Sequence, residues 1–319
     1  MNNLKNVLFI GDPLSSLKLK SDSSLALAEA ALKRGLKVYW CESQNISYFN
    51  QDIVIFHYDE ILAVNVNEVS SKKNTEHRLP FDFFQVCFVR KDPPFNEEYK
   101  NLCWILTSQS KVKIINSAEA LLSYHEKSLH WRAFAEGVLS KKHMIPTCLS
   151  YEISCVVDFC EQYPHDQRFV CKPWLGHGGE DISLFANKEL LYKYLDGKDV
   201  HEFLVQPFLP EITTEGDRRV IVANGKVIFD YVRLPAQGKI ASNGAQGGSA
   251  VIREMTEEQM DLCVAIAKFL KNKNILFAGL DLIGTYVGEI NITSPTGVRM
   301  FETLTNINKA DEILGLLVE

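Results

Sequence analysis

Short apolar runs alternate with polar, glycine-containing breaks along the chain, and their spacing predicts a mixed α/β fold. Val7-Leu-Phe-Ile10 reads as a buried strand, followed by the loop Gly11-Asp-Pro-Leu14. Ser21-Asp22 offers an N-cap to a helix with Leu25, Ala28 and Leu32 on one face, and Gly35 stops it. The next strand covers 36–40, so the chain opens β-α-β, the start of an open parallel sheet. Further strands are expected at 52–57, 83–89 and 113–116, with a helix over 99–107 and a polar loop over 68–78.

A second α/β unit begins at 146–149 (strand) and 151–163 (helix), then a strand over 168–173 that carries Lys172. The loop Gly176-His-Gly-Gly-Glu180 leads into a strand over 181–185, and another strand is expected over 204–209. Gly216-Asp-Arg-Arg219 opens a strand that Asn224-Gly225 turns into its partner over 226–232, a strong hairpin signal. Segment 234–250 has almost no large apolar residue and reads as a lid loop.

The last hairpin carries the sharpest chemical signal. The runs 277–283 and 287–291 flank Gly284-Thr285-Tyr286, and folding back near Thr285 places Asp281 opposite Glu289, with Asn291 on the same face. Two facing carboxylates destabilise a ladder unless something neutralises them. Carboxylates with an amide oxygen suit Mg2+ or Mn2+ rather than zinc. The same spacing also occurs in a solvated surface hairpin.

Composition narrows the class. The 319 residues, 46% hydrophobic and 23% charged, suit a globular protein of roughly two domains. A net charge of -6 argues against a sequence-independent nucleic-acid surface, though not against small anions. No signal peptide or membrane-spanning run is seen, so a cytoplasmic protein without membrane attachment is expected. The eight cysteines lack a C-x-x-C and read as buried thiols. The first β-α turn lacks G-x-G-x-x-G, so a dinucleotide is not bound there in that manner.

Two loops have alternative readings. Gly176–Glu180 lies between strands, not before a helix, yet its glycines let backbone N–H groups cradle phosphates while Lys172 neutralises one; a plain turn has the same composition. Arg90 follows a strand at the end where open sheets bind ligands and has the fork to hold a carboxylate; it also suits a charged strand end before Pro93-Pro94.

Eight motifs in order resemble the bacterial glutathione synthetases of the ATP-grasp superfamily, from end to end. They are Lys20-Ser-Asp-Ser-Ser24, Arg90-Lys-Asp-Pro-Pro-Phe95, Lys172-Pro with Gly178-Gly179, Gly216-Asp-Arg-Arg-Val220 and Arg233-Leu-Pro235. The others are Asn243-x-Ala-x-Gly-Gly248, Gly279-Leu-Asp-Leu-Ile-Gly284 and Glu289-Ile-Asn-Ile-Thr-Ser-Pro-Thr296. The resemblance implies an N-terminal substrate domain with an open parallel sheet (1–122), a central ATP-grasp lobe (123–203) and a C-terminal lobe with the lid (204–319).

The implied chemistry is ATP-driven phosphorylation of the γ-glutamylcysteine carboxylate and attack by the amine of glycine, releasing ADP and phosphate. Asp281, Glu289 and Asn291 match the metal ligands, for Mg2+ or Mn2+; Lys127, Lys172, Gly178 and Gly179 match ATP-phosphate positions, and Asp217 lies near the ribose. Arg219 and Arg233 match the reacting centre, and Arg90, Asn243, Ser294 and Thr296 the substrate site. A homo-oligomer is expected. The chain departs from the family pattern at Ala241, where the lid has an arginine, and at Glu180 and Asp181, where small neutral residues are usual. The altered lid keeps open a related γ-glutamyl peptide with another acceptor amine; a non-catalytic nucleotide-binding relative is a further alternative.

Overall fold

The computed structural model describes residues 5–176, 181–235 and 248–318. Its first sheet has six strands in the order Val69–Asn74, Tyr58–Val64, Lys37–Cys41, Asn6–Ile10, Val86–Val89 and Lys113–Ile115. Asn6–Ile10 lies at the centre, parallel to both neighbours, and Val7, Leu8, Phe9 and Ile10 are fully buried because helices or loops cover both faces. Helix Ser23–Lys33 follows as expected, with Asp22 accepting from the Leu25 N–H at 2.8 Å as its N-cap.

Two expectations for this region need correction. The segment 68–78 is not all loop: Val69–Asn74 pairs antiparallel with Tyr58–Val64 at the sheet edge. An edge strand exposed to water carries Ser and Lys without penalty, so polarity did not mark it. Asp52–Ile55 is a strand but lies outside the main sheet, in a small antiparallel sheet with Ile46–Phe49 and Leu79–Pro80.

The central lobe is a three-stranded antiparallel sheet, Ser183–Phe185, Phe169–Pro173 and Phe203–Pro207, covered by helices Ile153–Cys160 and Lys188–Leu195. Phe203–Pro207 pairs with Phe169–Pro173 across its whole length, so this strand lies beyond the expected boundary at 203 yet belongs to the central sheet. Residues 146–149 make one bridge, Cys148 to Val205, rather than a strand.

The C-terminal lobe is a five-stranded antiparallel sheet: Ser249–Val251, Lys226–Leu234, Asp217–Ala223, Phe277–Ile283 and Tyr286–Asn291. Alternation along Asp217–Ala223 feeds two cores. Val220 and Val222 join helix Glu257–Asn272 and the N-terminal helices in one; Ile221 and Ala223 join helices Ser23–Lys33 and Ala310–Val318 in the other. The N-terminal and C-terminal parts therefore share packed interiors, whereas the central lobe has a core of its own. No helix among the described residues is long and apolar enough to cross a membrane.

Candidate active site

The register of the C-terminal sheet places the site residues in a row. Arg219 lies opposite Tyr231 on one side and Asp281 on the other, and Asp281 lies opposite Glu289. Asp217 faces Arg233, and Asn291 faces Gly279, all on the face that carries Ile221 and Phe277 into the core further along. Residues opposed across an antiparallel ladder project to one side, so four strands deliver one charged surface.

The last hairpin reaches this alignment by a route that spacing did not reveal. Its turn is Gly284-Thr285, with Ile283 paired to Tyr286 and Leu282 to Val287. That register alone would put Gly288 opposite Asp281. A shift between Asp281 and Leu282 makes Gly288 an extra residue, and Glu289 returns to the face of Asp281.

Asp281 is the hub. Its carboxylate accepts from Arg219 Nε at 2.6 Å and Nη2 at 3.1 Å, a two-pronged pair, and from Arg233 Nη2 at 2.9 Å. The Asn291 amide donates to the same carboxylate at 3.0 Å. Burial opposes ionisation of Asp281, but the two guanidinium groups outweigh it and hold its carboxyl below the usual range. Arg219 also donates to the Thr296 carbonyl at 3.1 Å. Gly279 makes room for this arginine, since a Cβ there would stand 2.9 Å from Nη1.

Glu289 behaves oppositely. Burial is the chief cause that pushes its carboxyl up to about 7; Lys172 opposes the shift, while Glu126 and Asp281 add to it. Asp217 is also raised by burial, although it forms an ion pair with Arg233. The adjacent arginines of Gly216-Asp-Arg-Arg219 divide by face: Arg218 points the other way, onto Asp230 and the carbonyls of Arg253 and Glu254.

This row forms one wall of a cleft of about 950 Å³. Lys172, Val170, Gln206 and Phe208 line it from the central lobe, and Asp12, Lys18, Asp22 and Asp92 from loops at the carboxyl ends of the first sheet. Ser294 and Thr296 line it as well, and the Ser294 hydroxyl donates to Asp92. Lys172 is held below its ordinary pKa by burial, with Glu289 the largest of the anions that counter the effect.

Two expected residues sit differently. Arg90 is buried beneath the cleft floor, donating to Ser24 Oγ at 2.9 Å and the Pro295 carbonyl at 3.0 Å, with its guanidinium 5.3 Å from the Phe277 ring centre. It supports the loop that carries Ser294 and Thr296 instead of lining the cleft. Lys127 donates to the carbonyls of Pro173 at 2.6 Å, Trp174 at 3.2 Å and Gly176. It thus clasps the root of the glycine loop, and burial lowers its ammonium to about 8. Trp174 is stacked between His125 and Trp131, with centroids at 4.2 and 5.7 Å.

Gly178, Gly179, Asn243 and the lid positions 236–247, Ala241 among them, lie outside the described residues. Asp181 is exposed, at φ 57, and does not itself line the cleft, although the next residue, Ile182, does. Sequence reasoning missed Glu126. Its Oε1 accepts from Ile292 N at 2.7 Å and from the N and Oγ1 of Thr293, both at 2.9 Å, which ties the end of the last strand to the residue before Lys127. Adjacency to Lys127 was the only available signal.

The N-terminal sheet is mixed rather than wholly parallel as expected, because Lys37–Cys41 and Tyr58–Val64 pair antiparallel. It leads into two antiparallel lobes with buried cations and carboxylates between them, the arrangement of an ATP-grasp ligase. Residues 137–306 match the model for the ATP-grasp domain of prokaryotic glutathione synthetase, and residues 5–121 match that for its N-terminal domain. The chain belongs to the prokaryotic glutathione synthetase family and is an ATP-dependent C–N ligase. Glutathione synthetase of Prochlorococcus marinus subsp. pastoris is 30% identical, with 98% of each chain covered. That of Wigglesworthia glossinidia brevipalpis is 31% identical over 97% of this chain and 95% of its own. The fold also matches the crystal structure of D-cycloserine synthetase DcsG, with a TM-score of 0.68, 16% identity and 98% of each chain covered.

Proposed function

We propose that the chain is a glutathione synthetase, joining the cysteinyl carboxylate of γ-glutamylcysteine to the amine of glycine. ATP phosphorylates the carboxylate, the amine attacks the acyl phosphate, and ADP and phosphate leave. The observation that carries this reading is the single row of Arg219, Arg233, Asp281, Glu289 and Asn291 facing Lys172 across the cleft.

The adenine would lie against the apolar central-lobe wall of Val170, Ile182 and Phe208, directing the phosphates to Lys172. Phosphoryl transfer to a carboxylate brings two anions together, so positioning and charge neutralisation do most of the work. Arg219 and Arg233 are pre-oriented by Asp281 and Asp217, which leaves little reorganisation when negative charge builds on the acyl phosphate. Arg90, Asp92 and Glu126 fix the loop that carries Ser294 and Thr296, the proposed substrate contacts.

The donor set fits a hard divalent cation: three oxygen-bearing side chains share one face, and Glu289 is costly to ionise there without positive charge. Asp281, Glu289 and Asn291 would hold Mg2+ or Mn2+, which shields phosphate charge and polarises the phosphoryl oxygens. No nucleophilic side chain is required.

The test is ADP release with γ-glutamylcysteine and each of a series of small amines. Turnover that requires both γ-glutamylcysteine and glycine is expected. ADP release only with another amine would reassign the acceptor, and ATP hydrolysis indifferent to both substrates would overturn the ligase chemistry proposed for this site.

A further inference from the structure

Four of the eight cysteines gather in the central lobe: Cys148, Cys160 and Cys171 in its core, and Cys155 exposed on helix Ile153–Cys160. The Cys148 and Cys155 sulfurs are 3.9 Å apart. Closing that gap to the S–S bond length of about 2.05 Å requires the two sulfurs to move towards each other. Cys148 is tied to the cleft as well. Its N–H and its carbonyl both bond to Val205, each at 2.9 Å, and the next residue, Gln206, lines the cleft and donates to Thr147 Oγ1 at 2.8 Å.

We propose that Cys155 and Cys148 are a modification site for small-molecule disulfides, with Cys155 the attacking sulfur and Cys148 the resolving one. Exposure sets the order, because an incoming disulfide reaches Cys155 and not the buried Cys148. The Cys155 thiolate attacks one sulfur of a disulfide RSSR; the mixed disulfide forms, the S–S bond of RSSR breaks, and RS⁻ leaves. Cys148 then attacks the Cys155 sulfur, its proton passing to the second departing RS⁻. The pair is oxidised by two electrons and RSSR is reduced to two thiols, so no other oxidant is needed. Burial, with Cys155 adding to it, pushes the Cys148 thiol up to about 12, which keeps Cys148 from initiating the exchange.

Reversal needs only a small thiol. If the proposed function holds, the ligase product is such a thiol and its disulfide is a natural RSSR; that link rests on the functional reading, whereas the cysteine chemistry does not. Drawing Cys148 towards Cys155 pulls on the strand Phe203–Pro207, whose Gln206 and Pro207 line the cleft beside the proposed nucleotide wall.

The test exposes the reduced, full-length protein to excess oxidised glutathione, quenches with acid and maps the peptides by mass spectrometry. A peptide pair joined through Cys148 and Cys155, lost after dithiothreitol, is expected. Cys148→Ser should accumulate glutathione on Cys155, and Cys155→Ser should give neither product. Alkylating the exposed thiol of the folded wild-type chain should block cross-linking, which makes the result independent of how the variants fold. Absence of the joined peptide in the wild type, or cross-linking of Cys148 to another cysteine at the same rate in Cys155→Ser, overturns the proposal. Oxidation should raise the KM for ATP several-fold, reversibly; a cross-linked protein with unchanged KM overturns the coupling to the cleft. ADP release by the reduced protein tests the ligase reading separately.

Discussion

Asp281 faces Glu289 across the final hairpin because Gly288 is an extra residue in the returning strand. The two carboxylates then diverge. Two arginines hold Asp281 ionised, whereas Glu289 is raised to about 7. A buried ionised acid beside a second acid is unfavourable, and a cation between the strands removes the penalty.

Glu289→Gln should lower turnover by roughly a thousandfold, since a catalytic metal supplies several kcal/mol. It should also change the stability of the metal-free protein. With a folded pKa of about 7 against 4.5 unperturbed, the stability from protonated Glu289 is fully present below pH 4.5 and is lost as pH rises through 7. The loss amounts to about 3 kcal/mol. Denaturant melts at a series of pH values should show that slope in the wild type and not in the variant. Mg2+ should restore wild-type stability at pH 8.

Arg233→Ala should leave Asp217 and Asp281 with less compensation and destabilise the fold by about 3–5 kcal/mol, as broken buried pairs do. Removing Asp217 as well should recover part of that loss, measurable as a double-mutant cycle. In the folded fraction, kcat should fall far more than the apparent affinity for ATP. Equal losses in the two would place Arg233 on the nucleotide alone.

Glu126→Ala should free the backbone at Ile292 and Thr293 and raise the KM for the dipeptide substrate, because Ser294 and Thr296 follow directly. Glu126→Gln retains an acceptor oxygen and should recover most of the activity. Equal defects in both variants would mean that the charge of Glu126, rather than its hydrogen bonding, is what counts.

Lys127→Met should release the carbonyls of Pro173, Trp174 and Gly176 and loosen the root of the glycine loop. ATP affinity should drop about tenfold, the order of one lost charge-assisted interaction. Tryptophan fluorescence should shift as Trp174 leaves its stack on His125. Wild-type fluorescence with weakened ATP binding would assign Lys127 to the nucleotide only.

Much of this protein was readable locally. Alternating residues and a short turn signalled both hairpins of the C-terminal sheet, and Asn224-Gly225 appears at the expected bend. The strand Val69–Asn74 was hidden because an edge strand carries no apolar alternation. Glu126 contacts partners more than 160 residues away, a distance over which local patterns carry no information.

Residue order was sufficient to show which side chains carry charge and which strands present them, because side-chain direction alternates along each strand and motifs preserve spacing. It did not show where Arg90 and Lys127 point. The family resemblance implies ligand-facing cations at both, and Arg90 also suits a plain strand end. In the fold Arg90 donates to Ser24 and the Pro295 carbonyl beside the Phe277 ring, and Lys127 donates to three carbonyls of the central lobe. Arg90's partners come from two domains, and the carbonyls that hold Lys127 lie 46 to 49 residues further along the chain, so both sets become neighbours only once the chain has folded. The Gly288 bulge belongs with them: one added residue flips a strand face, and the alternation of residues along the strand does not mark where it falls.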